Sequence, residues 1–264
     1  MTTDRLVTAL EETWDGIRKL LADVRDEEWS RPTPCTDWDV HDLASHLAAI
    51  ESQFQGLPQP PSDPPPGASG IDGWTAMGVQ ARRGWTPDQI LSEIEQASEA
   101  QLGHVRSLDA EGWRGKTMGP LGETTEERLA LTRLMDIYVH LLDLRSGLGR
   151  DLQPDAEPTA LGVCVDWALD LTPWGAVKKA GLGEGSRVRL ALSEPEARTV
   201  DVVVEDGRGR VEKPSGEVTD SIAGPAPAYL LLVTGRTTVA DAAGGLKAEG
   251  DAARRLVEGF RVFS

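Results

Sequence analysis

The chain has 264 residues, of which 39% are hydrophobic and 27% are charged, with a formal net charge of −16. This length allows one large or two modest domains, and the composition is typical of a soluble globular protein. The acidic charge extends over both halves and disfavours a nucleic-acid surface or binding to anionic membranes, and two cysteines exclude a disulfide framework.

The N-terminus opens directly into an amphipathic pattern, without the basic and then apolar segments of a signal peptide. No apolar run approaches the roughly 18–20 residues that a membrane span needs. We therefore expect a cytoplasmic protein that has no nucleic-acid or membrane partner.

Hydrophobic periodicity predicts an antiparallel four-helix bundle before residue 150. Asp39 precedes the second helix as an N-cap, and Thr86-Pro87 begins the third. A proline-rich stretch, 57–67, predicts a surface loop, and a further helix is expected at 73–83. The four main helices are expected at 4–24, 40–54, 86–108 and 124–147.

The pattern changes after residue 150, where 151–158 reads as a linker. Alternating and β-branched segments then predict strands, with a turn at Asp206-Gly207, and apolar periodicity predicts helices between and after them. The strands are expected at 187–192, 199–205 and 209–213, and the helices at 159–171, 224–234 and 251–258. We therefore predict a bundle domain over 1–150 and a small α+β domain over 155–264.

Two of the four histidines, His46 and His140, lie on apolar faces of separate predicted helices. Asp136 precedes His140 by four residues, so both side chains share one helix face. Two imidazoles and a carboxylate, with one position left open, are the donor set of a catalytic zinc site. A hydrogen-bonded core histidine is the alternative reading of each position.

Asp143 follows His140 by three residues on nearly the same face. It could be a ligand, or it could orient a ligand through a hydrogen bond. Pairing with Arg145 or Arg150 at the helix end is the alternative.

The other histidines and the cysteines carry weaker signals. His41 is expected to be exposed, and His104 lies near a helix end, where a cation suits the dipole. Cys35 has no visible basic neighbour and is expected to be a small buried residue, whereas Cys164 is expected in a core. The glycine-rich stretch 181–185 reads as a loop.

Two segments of the bundle resemble the mycothiol-dependent maleylpyruvate isomerase family, whose N-terminal domain is a DinB-like four-helix bundle. The first segment is Trp29-Ser30-x-Pro32-Thr33-Pro34-Cys35-x-x-Trp38-x-Val40-x-Asp42-Leu43-x-x-His46-Leu47, and the second is Asp136-Ile137-Tyr138-Val139-His140-Leu141-Leu142-Asp143. Members usually carry Glu where this chain has Asp136, which is one methylene shorter. Members also often append a sterol-carrier-like α+β domain, which 228–236 and 250–251 resemble.

The resemblance implies a divalent metal, with zinc as the expected ion, and mycothiol, a thiol of actinobacteria, as cofactors. It implies His46, Asp136 and His140 as metal ligands, Asp143 as their orienting partner, and Arg82 or Arg83 together with Arg236 as anion anchors. Ordinary surface charge is the alternative for the first two arginines, and capping of its own helix is the alternative for Arg236.

The function implied is isomerisation of a small acidic electrophile such as maleylpyruvate, or transfer of the thiol to an electrophile. A thiol-independent metalloenzyme that uses metal-activated water is one alternative. A non-catalytic relative that binds a ligand or a partner is another. Monomer and homodimer both remain open.

Overall fold

The computed structural model describes residues 2–63, 70–120, 122–237 and 245–261. The chain divides into two compact units, Met1–Ala160 and Leu161–Ser264. The division falls inside a helix, Pro158–Lys178, where the sequence predicted a helix over 159–171. A helical bundle followed by a small α+β domain is the fold class that the sequence predicted, and it is confirmed.

The first unit is built on helices that pack side by side. The helices are α1 Thr3–Ala22, α2 Val40–Phe54, α3 Gly70–Gln80, α4 Pro87–Ser107 and α5 Glu126–Gly147. Helix α1 packs against α4 and α5, and α2 packs against α3, α4 and α5. Two short 3-10 turns, Asp26–Glu28 and Gly112–Arg114, lie in the connections.

Side-chain caps explain where three of these helices begin. The Asp39 carboxylate accepts a hydrogen bond from the backbone N–H of Asp42 at 2.8 Å, which fixes the start of α2. Thr86 and Gln89 form a reciprocal capping box before α4. The Thr125 hydroxyl accepts from the backbone N–H of a first-turn residue of α5.

The bundle core contains large apolar side chains together with a number of buried polar and charged ones. Trp14 is fully buried, and its indole N–H donates to the Gln101 side-chain oxygen at 2.7 Å. Gly78 of α3 faces α2 so closely that an added Cβ would come within 2.7 Å of the Ala49 Cβ. This close approach of α3 holds α2, which carries His46 of the candidate site.

The hairpin before α5 was not predicted. Strands β1 (Lys116–Gly119) and β2 (Gly122–Thr125) pair antiparallel. Each is four residues long, too short for alternation to be recognised in the sequence.

The second unit contains five described strands and three helices. The strands are β3 Arg187–Ser193, β4 Arg198–Glu205, β5 Arg208–Glu212, β6 Asp220–Pro225 and β7 Lys247–Glu249, and the helices are α6 Pro158–Lys178, α7 Ala226–Val233 and α8 Asp251–Gly259. The strands form a mixed sheet in the order β5-β4-β3-β6-β7, in which the pair β3 and β6 is parallel and the remaining pairs are antiparallel.

The sequence predicted three of these strands and missed the other two. Residues 224–225 end strand β6 and do not begin a helix, so the predicted helix over 224–234 starts two residues later, at Ala226. Strand β7 has only three residues, and its pattern carries no alternation signal. Within the described part of the chain, no helix is long and apolar enough to cross a bilayer.

Candidate metal centre

Helices α2 and α5 bring the three predicted ligands together. His46 projects from α2, and Asp136 and His140 project from successive turns of α5. The Nε2 atom of His46 lies 3.6 Å from Asp136 Oδ2, and the Nε2 atom of His140 lies 3.6 Å from Asp136 Oδ1. The two imidazole ring centroids are 4.9 Å apart and nearly perpendicular.

These separations fit the spacing of ligand atoms around a metal ion better than the spacing of a hydrogen-bonded pair. A contact of 3.6 Å exceeds the range of a nitrogen–oxygen hydrogen bond. Tetrahedral zinc, with donors about 2.0–2.1 Å away, places neighbouring ligand atoms about 3.3–3.5 Å apart. The Asp136 carboxylate therefore reaches ligand spacing to both histidines, although it is one methylene shorter than the Glu usual in the family.

The His46 imidazole is buried, with 4% of its surface exposed. Neither ring nitrogen has a hydrogen-bond partner among the residues that the structure describes. Burial lowers the pKa of His46, and Asp136 offsets part of that effect. A neutral, buried imidazole without a partner is a costly arrangement that a bound cation would relieve.

His140 is held from its other side. Its Nδ1 lies 2.9 Å from Asp143 Oδ2, and donation to that carboxylate leaves Nε2 as the atom that faces Asp136. This arrangement is typical of a histidine oriented for metal binding. Of the two arginines that were the alternative partners of Asp143, Arg145 pairs with Glu157 at 2.6 Å and Arg150 lies 3.7 Å from Glu28.

Cys35 lies at the same place, contrary to the prediction of a buried cysteine with no basic neighbour. Its thiol is only partly buried, lies 3.4 Å from Asp143 Oδ2, and is 3.7 Å from His140 Nδ1. Burial alone would lower the pKa of His140, but Asp136, Asp143 and the Cys35 contact raise it to about 10. A metal ion that binds His140 Nε2 would displace the proton on that nitrogen, so metal binding would release a proton.

A buried ion pair supports the ligand carboxylate. The Arg133 guanidinium donates through Nε to Glu51 at 3.2 Å and through Nη1 to Asp136 Oδ2 at 2.9 Å. Burial opposes ionisation of Asp136, yet Arg133 and the two histidines hold its pKa well below its usual value. The pKa of Glu51 is raised by burial, which Arg133 only partly offsets. Asp136 is thus kept as an anion, the form that binds metals.

The predicted anion anchors have other partners in the structure. Arg82 is 1% exposed rather than at the surface, and it pairs with Glu93 at 2.5 Å and donates to the Gly78 carbonyl at 2.9 Å. Arg83 is exposed and pairs with Asp42. Arg236 donates through Nη1 to the Thr234 carbonyl at 2.6 Å, at the end of α7.

The remaining sequence candidates lie elsewhere. His41 is only half-buried, and its Nε2 donates to the Trp85 carbonyl at 2.9 Å. His104 is exposed and pairs with Glu126. Cys164 is fully buried in its helix, as predicted. The stretch 181–185 is a loop, also as predicted.

A cavity of about 740 Å³ is lined by residues of α2, α3, β1 and α5. Phe54 of α2 and Leu129 of α5 form part of its wall, and the Arg133 guanidinium lies 5.4 Å from the Phe54 ring centroid. Further lining residues are Gln53, Trp74, Thr117 and Met118. Its volume is in the range of small-molecule sites.

Sequence reasoning missed Cys35, Glu51 and Arg133 as members of this centre. Cys35 is 105 residues from His140, and Glu51 is 82 residues from Arg133. An arginine three residues before Asp136 on the ligand helix is the one signal that was available, and it also suits an ordinary helix ion pair.

Comparison with known proteins agrees with this architecture. The family described as mycothiol maleylpyruvate isomerase N-terminal domain matches residues 10–145. Two proteins of Mycobacterium tuberculosis, Uncharacterized protein Rv0738 and Uncharacterized protein MT0763, are each 26% identical over 149 residues. That stretch covers 56% of this chain and 70% of each relative.

Two solved structures share the fold. A crystal structure of the mycothiol-dependent maleylpyruvate isomerase has a TM-score of 0.57 at 17% identity, and a histidine-to-alanine mutant of it has 0.60 at 15%. Each comparison covers 94% of this chain and 93% of the other. Because the family match spans just over half of the sequence and includes all three candidate ligands, the chain belongs to the mycothiol maleylpyruvate isomerase N-terminal domain family.

Proposed function

We propose that this protein is a metal- and mycothiol-dependent enzyme that isomerises a small acidic electrophile such as maleylpyruvate, or transfers the thiol to such an electrophile. His46, Asp136 and His140 are the proposed ligands of a divalent ion, for which we propose zinc. The observation that carries the proposal is the buried His46 imidazole, which has no hydrogen-bond partner among the described residues and faces two further donors at ligand spacing.

The donor chemistry fits zinc. Two neutral imidazoles and one carboxylate are borderline donors that zinc accepts, and they leave a fourth position for a thiol or a substrate oxygen. A divalent ion bound there supplies Lewis acidity, which lowers the pKa of a coordinated thiol toward neutrality. Mycothiol, when bound there, would supply a nucleophilic thiolate for cis–trans isomerisation or for transfer to the electrophile.

Neighbouring residues would orient the proposed ligands and keep the carboxylate ligand ionised. Asp143 holds the His140 ring with Nε2 directed to Asp136, and Arg133 keeps Asp136 ionised. Trp38, whose ring centroid lies 4.9 Å from that of His46, helps to fix the second imidazole. Arg82 and Arg236 stay predictions as anion anchors, and the donors of Arg82 are engaged with Glu93, Gly78 and Gln59.

The test is a direct assay of the zinc-loaded protein with mycothiol and maleylpyruvate, following fumarylpyruvate and free thiol separately. Isomerisation without thiol consumption supports the isomerase, and stoichiometric thiol loss supports the transferase. Both should disappear in His140→Ala and persist in His104→Ala, which alters an exposed histidine away from the centre. Absence of both reactions in the zinc-loaded wild type would refute the proposal.

A further inference from the structure

One guanidinium nitrogen of Arg133 donates no hydrogen bond to any of the described residues. The residue is 4% exposed, and its Nε and Nη1 atoms donate to Glu51 and Asp136. Its Nη2 atom is buried and has no hydrogen-bond partner among the described residues. A buried guanidinium nitrogen without an acceptor is rare, because the cost of desolvation is not recovered.

This unused donor lies at the candidate metal centre. Asp136 Oδ2, which accepts from Arg133 Nη1 at 2.9 Å, is also the oxygen 3.6 Å from His46 Nε2. Arg133 and His46 therefore flank one carboxylate oxygen, and both carry buried nitrogens for which the described part of the chain offers no partner. A buried guanidinium nitrogen without an acceptor, next to the proposed metal position, indicates a binding place for an acceptor group of a ligand.

The chemistry of the unused group selects the ligand. A guanidinium has only donors and its charge is permanent, so its preferred partner is an oxyanion, and a planar carboxylate matches the geometry of the guanidinium fork. The remainder of a small ligand has space nearby. Arg133 packs against Phe54 and lies one helical turn after Leu129, and both of those residues line the cavity of about 740 Å³.

We propose that Arg133 Nη2 is a carboxylate-binding subsite beside the metal position, which holds one carboxylate of an acidic substrate. This inference rests on the function proposed above and adds a substrate contact to it. Arg133 would then bind the substrate anion, which is the role that the family resemblance implied for Arg82. The guanidinium of Arg82 is paired with Glu93.

The probe for this subsite is maleate, titrated calorimetrically into zinc-loaded protein. Arg133→Lys keeps a cation between Glu51 and Asp136 but removes the planar fork. It should weaken maleate binding about 10- to 100-fold, the effect of losing one charge-assisted hydrogen bond. Arg106→Lys is the matched control, because that exposed arginine of α4 pairs with Glu11, and the variant should bind maleate as the wild type does.

Zinc stoichiometry and melting temperature are measured on the same samples. Unchanged maleate affinity in a folded Arg133→Lys variant would overturn the subsite, as would a wild type that binds no maleate. Weakening that appears only together with loss of zinc would also overturn it, because Arg133 would then act through Asp136 alone. If Arg133→Lys does not fold, the charge-balanced Glu51→Gln/Arg133→Gln pair is titrated in its place, with the same expected weakening.

A wild type without zinc would refute the proposed function and leave the subsite measurable. Maleate is then titrated into the metal-free wild type and Arg133→Lys. A difference of at least 10-fold between them supports the subsite independently of the metal, and equal affinities overturn it.

Discussion

At the scale of single residues, the centre depends on how each ligand is held from behind. Asp143 fixes the His140 ring, and Arg133 fixes the Asp136 carboxylate. Removal of such a supporting contact usually costs metal affinity without unfolding the protein. The shorter Asp136 is compatible with this design, because its two oxygens already lie at equal distances from the two imidazoles.

The first prediction concerns Asp143. Asp143→Ala removes the acceptor of the His140 Nδ1 proton, so the imidazole loses its fixed orientation. Zinc affinity should fall about 10- to 100-fold, measured by competition with a chromogenic chelator. Asp151→Ala, an exposed aspartate outside the centre, is the control and should leave the affinity unchanged. Equal affinities in both variants would show that Asp143 does not orient the ligand.

At the scale of elements, helices α2 and α5 are joined across the site by the buried Glu51–Arg133 pair. Removal of one member leaves an uncompensated charge in the core, which costs more than the intact pair contributes. The sequence could predict that Asp136 and His140 share one face of α5, since this follows from helical periodicity. It could not predict which residue of α2 meets Arg133, because that depends on how two helices pack.

The second prediction tests this connection. Arg133→Met should lower the free energy of unfolding by about 3–5 kcal/mol, because the buried Glu51 carboxylate then loses its cationic partner. Glu51→Gln added to that variant should restore part of the loss. Urea unfolding in the presence of a chelator measures both values without any contribution from metal. A double variant no more stable than Arg133→Met would contradict the pairing.

The third prediction concerns strands β3 and β4. Asp201 is buried between Arg187 and Arg189, and hydrogen bonds from these arginines lower its pKa from 3.8 to about 2. Because the folded pKa is the lower one, its stabilising contribution is complete above about pH 4 and is lost as the pH falls toward 2.

Asp201→Asn should therefore lower the free energy of unfolding by about 2 kcal/mol at pH 7. The difference from the wild type should shrink as the pH approaches 2. Denaturant titrations from pH 7 to pH 3 follow the trend. A difference that does not change with pH would mean that the carboxylate charge is not the cause.

At the scale of the whole molecule, the sequence predicted the order of the parts better than their boundaries. The helices of the bundle follow from long apolar periodicity, whereas β1, β2 and β7 have only three or four residues and leave no such signal. The burial of Arg82 was missed for a different reason, since its partners come from distant segments such as 59 and 93. The local sequence pattern does not identify partners that come from other segments of the chain.

The fourth prediction belongs to this scale, because a ligand of the native state stabilises the whole cooperative unit that contains it. Zinc at 100 times its dissociation constant should stabilise the bundle by about 2.7 kcal/mol. A thermal melt with and without zinc measures the shift. Asp136→Asn, which lacks the anionic ligand, should show a much smaller increase, and an equal increase would place zinc elsewhere.

The central claim is that α2 and α5 form a metal centre, and metal content tests it most directly. Protein purified without an affinity metal is analysed by elemental mass spectrometry as wild type, His46→Ala, His140→Ala and the control His104→Ala. The account predicts about one divalent ion per chain in the wild type and the control, and none in the other two. An ion retained in both ligand variants, or no ion in a wild type that added zinc does not stabilise, would contradict it.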